Sequence, residues 1–202
     1  MGSSSSSSYH PASYQWKLRD IVVMAVLAAA CGAIYLAWDL LYRFVPASIS
    51  PVAAAGFNGL WWIAGGIVPY IIRKPGAALL AESIGGFVEF ALGSPYGIQA
   101  FTIGIAQGLT IELAFAAGGY RRYSLPWMLF ATAMGAIGNF VYSYFYYGVN
   151  DYTLPVQLGY LVVSMISGAV LAGLLSKWVG DAVKRTGVLR NFEISRPPAS
   201  TP

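Results

Sequence analysis

Residues 77–93, AALLAESIGGFVEFALG, set two glutamates in an otherwise apolar, glycine-rich run. Glu82 and Glu89 are seven apart, so a helix carries both on one face, with Gly85 and Gly86 between them. Neither this run nor the interior of any other apolar run holds a Lys or Arg. A carboxylate at membrane depth costs roughly 2.5–3.5 kcal/mol on insertion scales, and such residues usually mark a substrate, ion or proton site. Something must therefore compensate these two.

Composition sets the environment. The 202 residues are 57% hydrophobic and 10% charged, with a mean hydropathy of +0.60. Soluble domains carry about 25% charged residues, so the chain reads as an all-α polytopic membrane protein. About 20 apolar residues cross a bilayer, and runs of about that length fall at 20–42, 52–72, 77–94, 97–119, 125–147 and 154–177. The third is short. Turn signals separate them: Pro46 and Pro51, Lys74-Pro75-Gly76, Ser94-Pro95, Arg121-Arg122 and Asn150-Asp151. Six transmembrane helices are predicted.

Charge placement chooses their orientation. Lys17, Arg19, Arg73, Lys74, Arg121, Arg122, Lys177, Lys184, Arg185, Arg190 and Arg196 all fall on one side. Of the 12 Lys and Arg only Arg43 falls on the other, which predicts cytoplasmic N- and C-termini. The net charge of +4 reflects this asymmetry, not nucleic-acid binding. Residues 1–16, with their serine tract, read as a disordered tail or tag, 17–180 as the transmembrane domain, and 181–202 as a basic cytoplasmic tail.

Several chemistries find no residues to support them. Cys31 is the single cysteine and His10, in the tail, the single histidine, which leaves no Cys-based metal site and no histidine base in the body. GxxxxGK[ST], GxSxG and HExxH are all absent. No catalytic residue, metal site or cofactor is predicted. No inverted repeat of interrupted helices is evident, which weakens a self-sufficient carrier.

A polar constellation gathers at the outer ends of the spans: Asn58, Gln99, Gln107, Asn139 and Gln157, with Glu89 in the outer half of span 3 and Glu82 deeper. Asn139, Tyr142 and Tyr146 share a face at i, i+3, i+7, as do Tyr35, Trp38 and Tyr42; Trp61 follows Asn58 by about a turn. Amide, phenol, indole and carboxylate groups together describe a site that stacks a flat ring and hydrogen-bonds its edges. Interhelical hydrogen bonding is the competing role for each amide, at roughly 0.6–2 kcal/mol. For Glu89 the compensation is protonation, a bound metal ion or proton, or a cationic ligand; aromatic walls favour a delocalised organic cation. Asp39 is expected to pair with Arg43 at the surface. Glu112 is expected to accept hydrogen bonds at a helix contact or to stay protonated. Ala25, Ala29 and Ala33 on span 1, beside the stripe Ala28–Gly32, make a surface of small residues suited to helix docking or internal packing.

Residues 16–39, WKLRDIVVMAVLAAACGAIYLAWD, and 51–90, PVAAAGFNGLWWIAGGIVPYIIRKPGAALLAESIGGFVEF, resemble YkoE-type proteins, the substrate-binding S components of energy-coupling factor (ECF) transporters. The resemblance spans roughly residues 16–190. It implies a non-enzymatic six-helix subunit of a bacterial or archaeal plasma membrane that captures thiamine or its hydroxymethylpyrimidine precursor from outside. An ECF transmembrane coupling protein and two ABC ATPases would be its partners, with Ala25, Ala29 and Ala33 the docking residues. The expected ligand set is Glu89, Glu82, Asn58, Trp61, Gln99, Asn139, Tyr142, Tyr146, Tyr35 and Trp38, with residues 42–51 a candidate lid. The alternative is a stand-alone proton- or cation-coupled carrier that uses the membrane glutamates.

Overall fold

A computed structural model describes residues 15–46, 48–187 and 192–195, and among them there is no β-strand. Six helical rods follow one another: α1 (Leu18–Tyr42), α2 (Pro51–Ile72), α3 (Ala77–Ala91), α4 (Ile98–Ala117), α5 (Leu125–Tyr146) and α6 (Leu154–Arg185). All but α3 are long and apolar enough to cross a membrane. At 15 residues, α3 is about 22 Å long at 1.5 Å per residue, short of a full crossing by itself. It is the central element, packed between α1 and α4.

The local sequence explains the breaks. Pro51 opens α2, where the Ser50 hydroxyl accepts the Ala53 N–H at 3.2 Å. Arg73 ends α2 in the left-handed region at φ 56°, and Pro75 and Gly76, at φ 85°, turn the chain into α3. The start of α3 has no cap of its own. Glu112 of α4 supplies one, accepting the N–H groups of Gly76 at 2.6 Å, Ala78 at 2.9 Å and Leu79 at 3.3 Å. This satisfies orphan donors and sets a carboxylate against the positive end of the helix. Of the two roles expected for Glu112, hydrogen bonding at a helix contact is the one the geometry supplies.

Two rods are irregular. The middle of α2, Ala55–Trp62, is a 3-10 helix, and α6 contains a π-helical stretch at Gly168–Leu174. They meet: the Ser167 hydroxyl donates to the Gly56 carbonyl at 2.7 Å and accepts the Gly59 N–H at 2.9 Å. Irregular backbone of this kind is tolerated inside a bundle because neighbours satisfy the freed groups. It also turns Asn58 and Trp61 inward toward the same space.

Glycine decides how closely α3 is gripped. A Cβ on Gly32 of α1 would collide with the carbonyl oxygen of Gly85, and one on Gly86 would collide with that of Ala100. Backbones approach closely on both sides of α3, as small residues permit. The two small-residue stripes of α1 thereby separate. Ala28 and Gly32 are buried inward, whereas Ala25 and Ala29 are half-buried and Ala33 is exposed.

The basic ends hold together through polar contacts. Lys74 is buried and pairs with Asp20 and the Gln15 carbonyl. The Tyr70 hydroxyl donates to Asp181 at 2.6 Å, and Lys177 reaches Asp181 at 2.8 Å. α6 runs on to Arg185, and Phe192 and Ile194 pack into the core beneath Arg19. The boundary expected at 180/181 therefore falls inside a helix, because apolar residues beyond it bury against α2. His10 and the serine tract lie outside the described residues.

Candidate functional site

A cavity of about 310 Å³ opens at the end of the bundle opposite the basic loops, where α1 and α5 end and α3 turns into α4. That volume lies at the lower end of the range for small-molecule sites. Its deep side is built by Tyr35 and Glu82. Glu82 is 0% exposed, yet its carboxylate is well supplied with donors. The Tyr35 hydroxyl sits 3.0 and 3.1 Å from its two oxygens, and the Gly65 N–H donates to it as well. Tyr35 in turn accepts the Ala64 N–H at 2.8 Å. The two residues thus tie α1, α2 and α3 where the 3-10 segment of α2 returns to α-helix.

One wall is an amide–phenol network. Asn58 donates to Tyr160 at 3.0 Å and to Ser164 at 2.9 Å. Asn139 donates to the same Tyr160 oxygen at 3.2 Å and accepts from Gln107 at 3.0 Å. With two amides donating to it, the Tyr160 hydroxyl keeps its own proton free for a ligand, and the carbonyl ends of Asn58 and Gln107 meet no donor among the described residues. Asn58, Gln107, Asn139 and Tyr160 line the cavity, with Ser164 behind them. The mouth is aromatic: Tyr42, Trp61, Tyr96 and Tyr147. Trp61 packs edge-on against Tyr42 at 5.0 Å, and Tyr96 lies 5.9 Å from Tyr147. In the loop after α3, burial first, then Asp39, Tyr42 and Glu89, push the Tyr96 phenol up to about 12, so it remains a neutral donor.

Glu89 faces the cavity about two helical turns on from Glu82 and is 3% exposed. Its carboxyl group takes the Ser94 hydroxyl at 3.2 Å and lies directly against the carboxyl group of Asp39. The same hydroxyl lies 2.7 Å from Asp39, which also takes the Trp61 indole N–H at 2.7 Å. Asp39 is 1% exposed, and the expected surface pair with Arg43 is not formed. The reason is where the helix ends: Asp39 lies one turn beyond Tyr35 and faces inward with it, while Arg43 falls just past the last turn and is exposed. Among the described residues no Lys or Arg forms an ion pair with Asp39, Glu82 or Glu89, and no group of carboxylates is arranged to hold a metal ion.

Of the ten ligand residues expected from sequence, the structure brings six to the cavity: Glu89, Glu82, Asn58, Trp61, Asn139 and Tyr35. Four lie elsewhere. Gln99 is on the first turn of α4, half-buried and facing away. Tyr142 meets Thr102 at 2.6 Å and stacks at 4.5 Å on Tyr146, which is 62% exposed. Trp38 packs behind Trp61, between it and Phe57. The cavity side of α5 follows i, i+4, i+8 from Asn139, through Ser143 and Tyr147, not i, i+3, i+7. Either spacing fits one helical stripe; the neighbours of α5 choose between them. Gln157 stays at the surface, donating to the Tyr152 carbonyl at 2.8 Å. In the expected lid, Tyr42 lines the mouth and Phe44 is exposed; Ala47 lies outside the described residues.

Comparison with known proteins gives the family. Residues 19–138 match the family described as "ABC-type cobalt transport system, permease component". The chain is 38% identical over 181 residues to YkoE of Bacillus subtilis (strain 168), named as an HMP/thiamine permease protein, covering 90% of this chain and 91% of that one. A crystal structure of an S component of an ECF transporter superposes with a TM-score of 0.86 at 38% identity, over 89% of this chain and 91% of the other.

Proposed function

The chain belongs to the S-component family of ECF transporters, as a multi-pass, non-enzymatic plasma-membrane protein, and from that premise we propose that it captures thiamine or its hydroxymethylpyrimidine precursor from outside the cell. The observation that carries the reading is Glu89: a buried carboxylate with no cationic partner among the described residues, opening into an aromatic-walled cavity. A thiazolium ring supplies the missing positive charge, and ring faces attract such a cation as well. An aminopyrimidine suits the amide wall, where Asn58, Asn139, Gln107 and Tyr160 offer both acceptors and a donor. Glu82 and Tyr35 close the deep end. Six helices cross the membrane with both termini cytoplasmic, α3 completing its span with the loop that carries Ser94. Ala25, Ala29 and Ala33 dock the transmembrane coupling protein, and two ATPases drive import.

Isothermal titration of the purified full chain with thiamine and with hydroxymethylpyrimidine tests the ligand, and native mass spectrometry shows what co-purifies. Saturable binding of either compound, lost when the cavity residues are altered, is expected. A wild-type protein that binds neither rejects the ligand assignment. Proteoliposomes of this chain alone should bind substrate without accumulating it; uptake driven by an ion gradient would instead favour a carrier.

A further inference from the structure

The acid side of the cavity contains more than the residue that faces the ligand. Ser94 has one hydroxyl proton and two carboxylates to serve, Asp39 at 2.7 Å and Glu89 at 3.2 Å. Asp39 receives the shorter contact and the Trp61 indole proton besides, at 2.7 Å. Asp39 therefore has two donors without lining the cavity. Glu89 is left with the longer share of the Ser94 proton, stands directly against the Asp39 carboxyl group, and faces the open space. Two buried carboxylates thus converge on a hydroxyl that cannot satisfy both, and a positive charge in the cavity answers that deficit.

We propose that Asp39 is a positioning residue that makes this site selective for charge: through Ser94 and Trp61 it holds Glu89 donor-poor and sets an aromatic wall beside it, so that a monocationic ring is preferred over a neutral ring of the same shape. The proposal rests on the reading of the cavity as the ligand site. Its geometry spans three elements, Asp39 on α1, Trp61 on α2, and Glu89 with Ser94 at the outer end of α3, so no single helix could produce it. Trp61 gains a second role. Its ring packs edge-on to Tyr42 at the mouth while its N–H is anchored on Asp39, which fixes the plane that a ligand meets.

The experiment compares thiamine with 3-deazathiamine, its uncharged isostere, by titration calorimetry on the full chain in detergent. The wild type should bind thiamine at least tenfold more tightly than the isostere. Asp39→Asn, which keeps the shape, should cut that ratio about tenfold, chiefly through weaker thiamine binding. An unchanged ratio in Asp39→Asn, or equal loss for both ligands, overturns the role and leaves Asp39 merely structural. Should the variant fold poorly, the wild-type ratio decides: no preference for the charged ligand overturns the proposal. A wild type that binds neither compound rejects the ligand reading itself, which is a separate result.

Discussion

Glu82, Glu89 and Glu112 show three ways in which a membrane protein compensates a carboxylate. Glu112 spends its charge on the backbone N–H groups at the start of α3. Glu112→Ala should lower stability by about 1–2 kcal/mol, the scale of a lost helix cap, and thermal unfolding in detergent would read this as a reduced Tm. Glu82 is held by Tyr35 and Gly65, so Tyr35→Phe strips a buried acceptor and donor together. Its expected effect is a loss of about 1–3 kcal/mol of stability, with ligand binding weakened alongside. Glu89 is the one left short of donors. Glu89→Gln should weaken thiamine binding at least tenfold, about 1.4 kcal/mol, while hydroxymethylpyrimidine, which lacks the thiazolium, is affected less. Equal affinity of Glu89→Gln and wild type for thiamine, by calorimetry, would remove the charge-pairing role.

Helix α1 carries two stripes of small residues, and only one of them is buried in the bundle. Its inward stripe, Ala28 and Gly32, lets α3 approach so closely that side chains do not fit between the backbones. Gly32→Leu should therefore fail to give a stable, monodisperse protein, as judged by size-exclusion chromatography. The neighbouring stripe ends at the exposed Ala33. Ala33→Trp should leave the Tm and thiamine binding close to wild type but abolish uptake in cells that also express the coupling protein and ATPases. Loss of binding in Ala33→Trp would place that residue in the fold and not at a partner. The short α3 needs its neighbours in a different sense: its cap comes from α4 and its outer end is finished by Ser94, which reaches back to α1.

At the level of the whole molecule, charge and cavity lie at opposite ends. Arg73, Lys74, Arg121 and Arg122 occupy the loops at one end, and Tyr42, Tyr96 and Tyr147 ring the cavity mouth at the other. With the termini cytoplasmic, as proposed from the positive-inside rule, the mouth faces outward. The single cysteine, Cys31, is buried, which makes accessibility easy to read. A membrane-impermeant maleimide should label Arg43→Cys on intact cells and Arg121→Cys only after permeabilisation. The reverse pattern would invert the orientation and with it the direction of capture.

The all-helical class and the positions of the six helical rods were legible in the chain, because hydropathy and the placement of charge are properties of local sequence. It could not decide helix phase. Asn139 shares a stripe with Tyr142 and Tyr146 as well as with Ser143 and Tyr147, and in a helix apolar all round nothing local says which side faces inward. Asp39 was hidden for the same reason: Arg43 stands four residues on, a spacing that suits a surface pair, while the true partners come from α2 and the end of α3. The residue order alone shows carboxylates in apolar runs with no cations to match. The fold assigns their neighbours: Glu112 caps a helix, Glu82 ties three helices together, and Glu89 shares one hydroxyl with Asp39 at an open cavity, because hydrogen-bond supply depends on which helices meet.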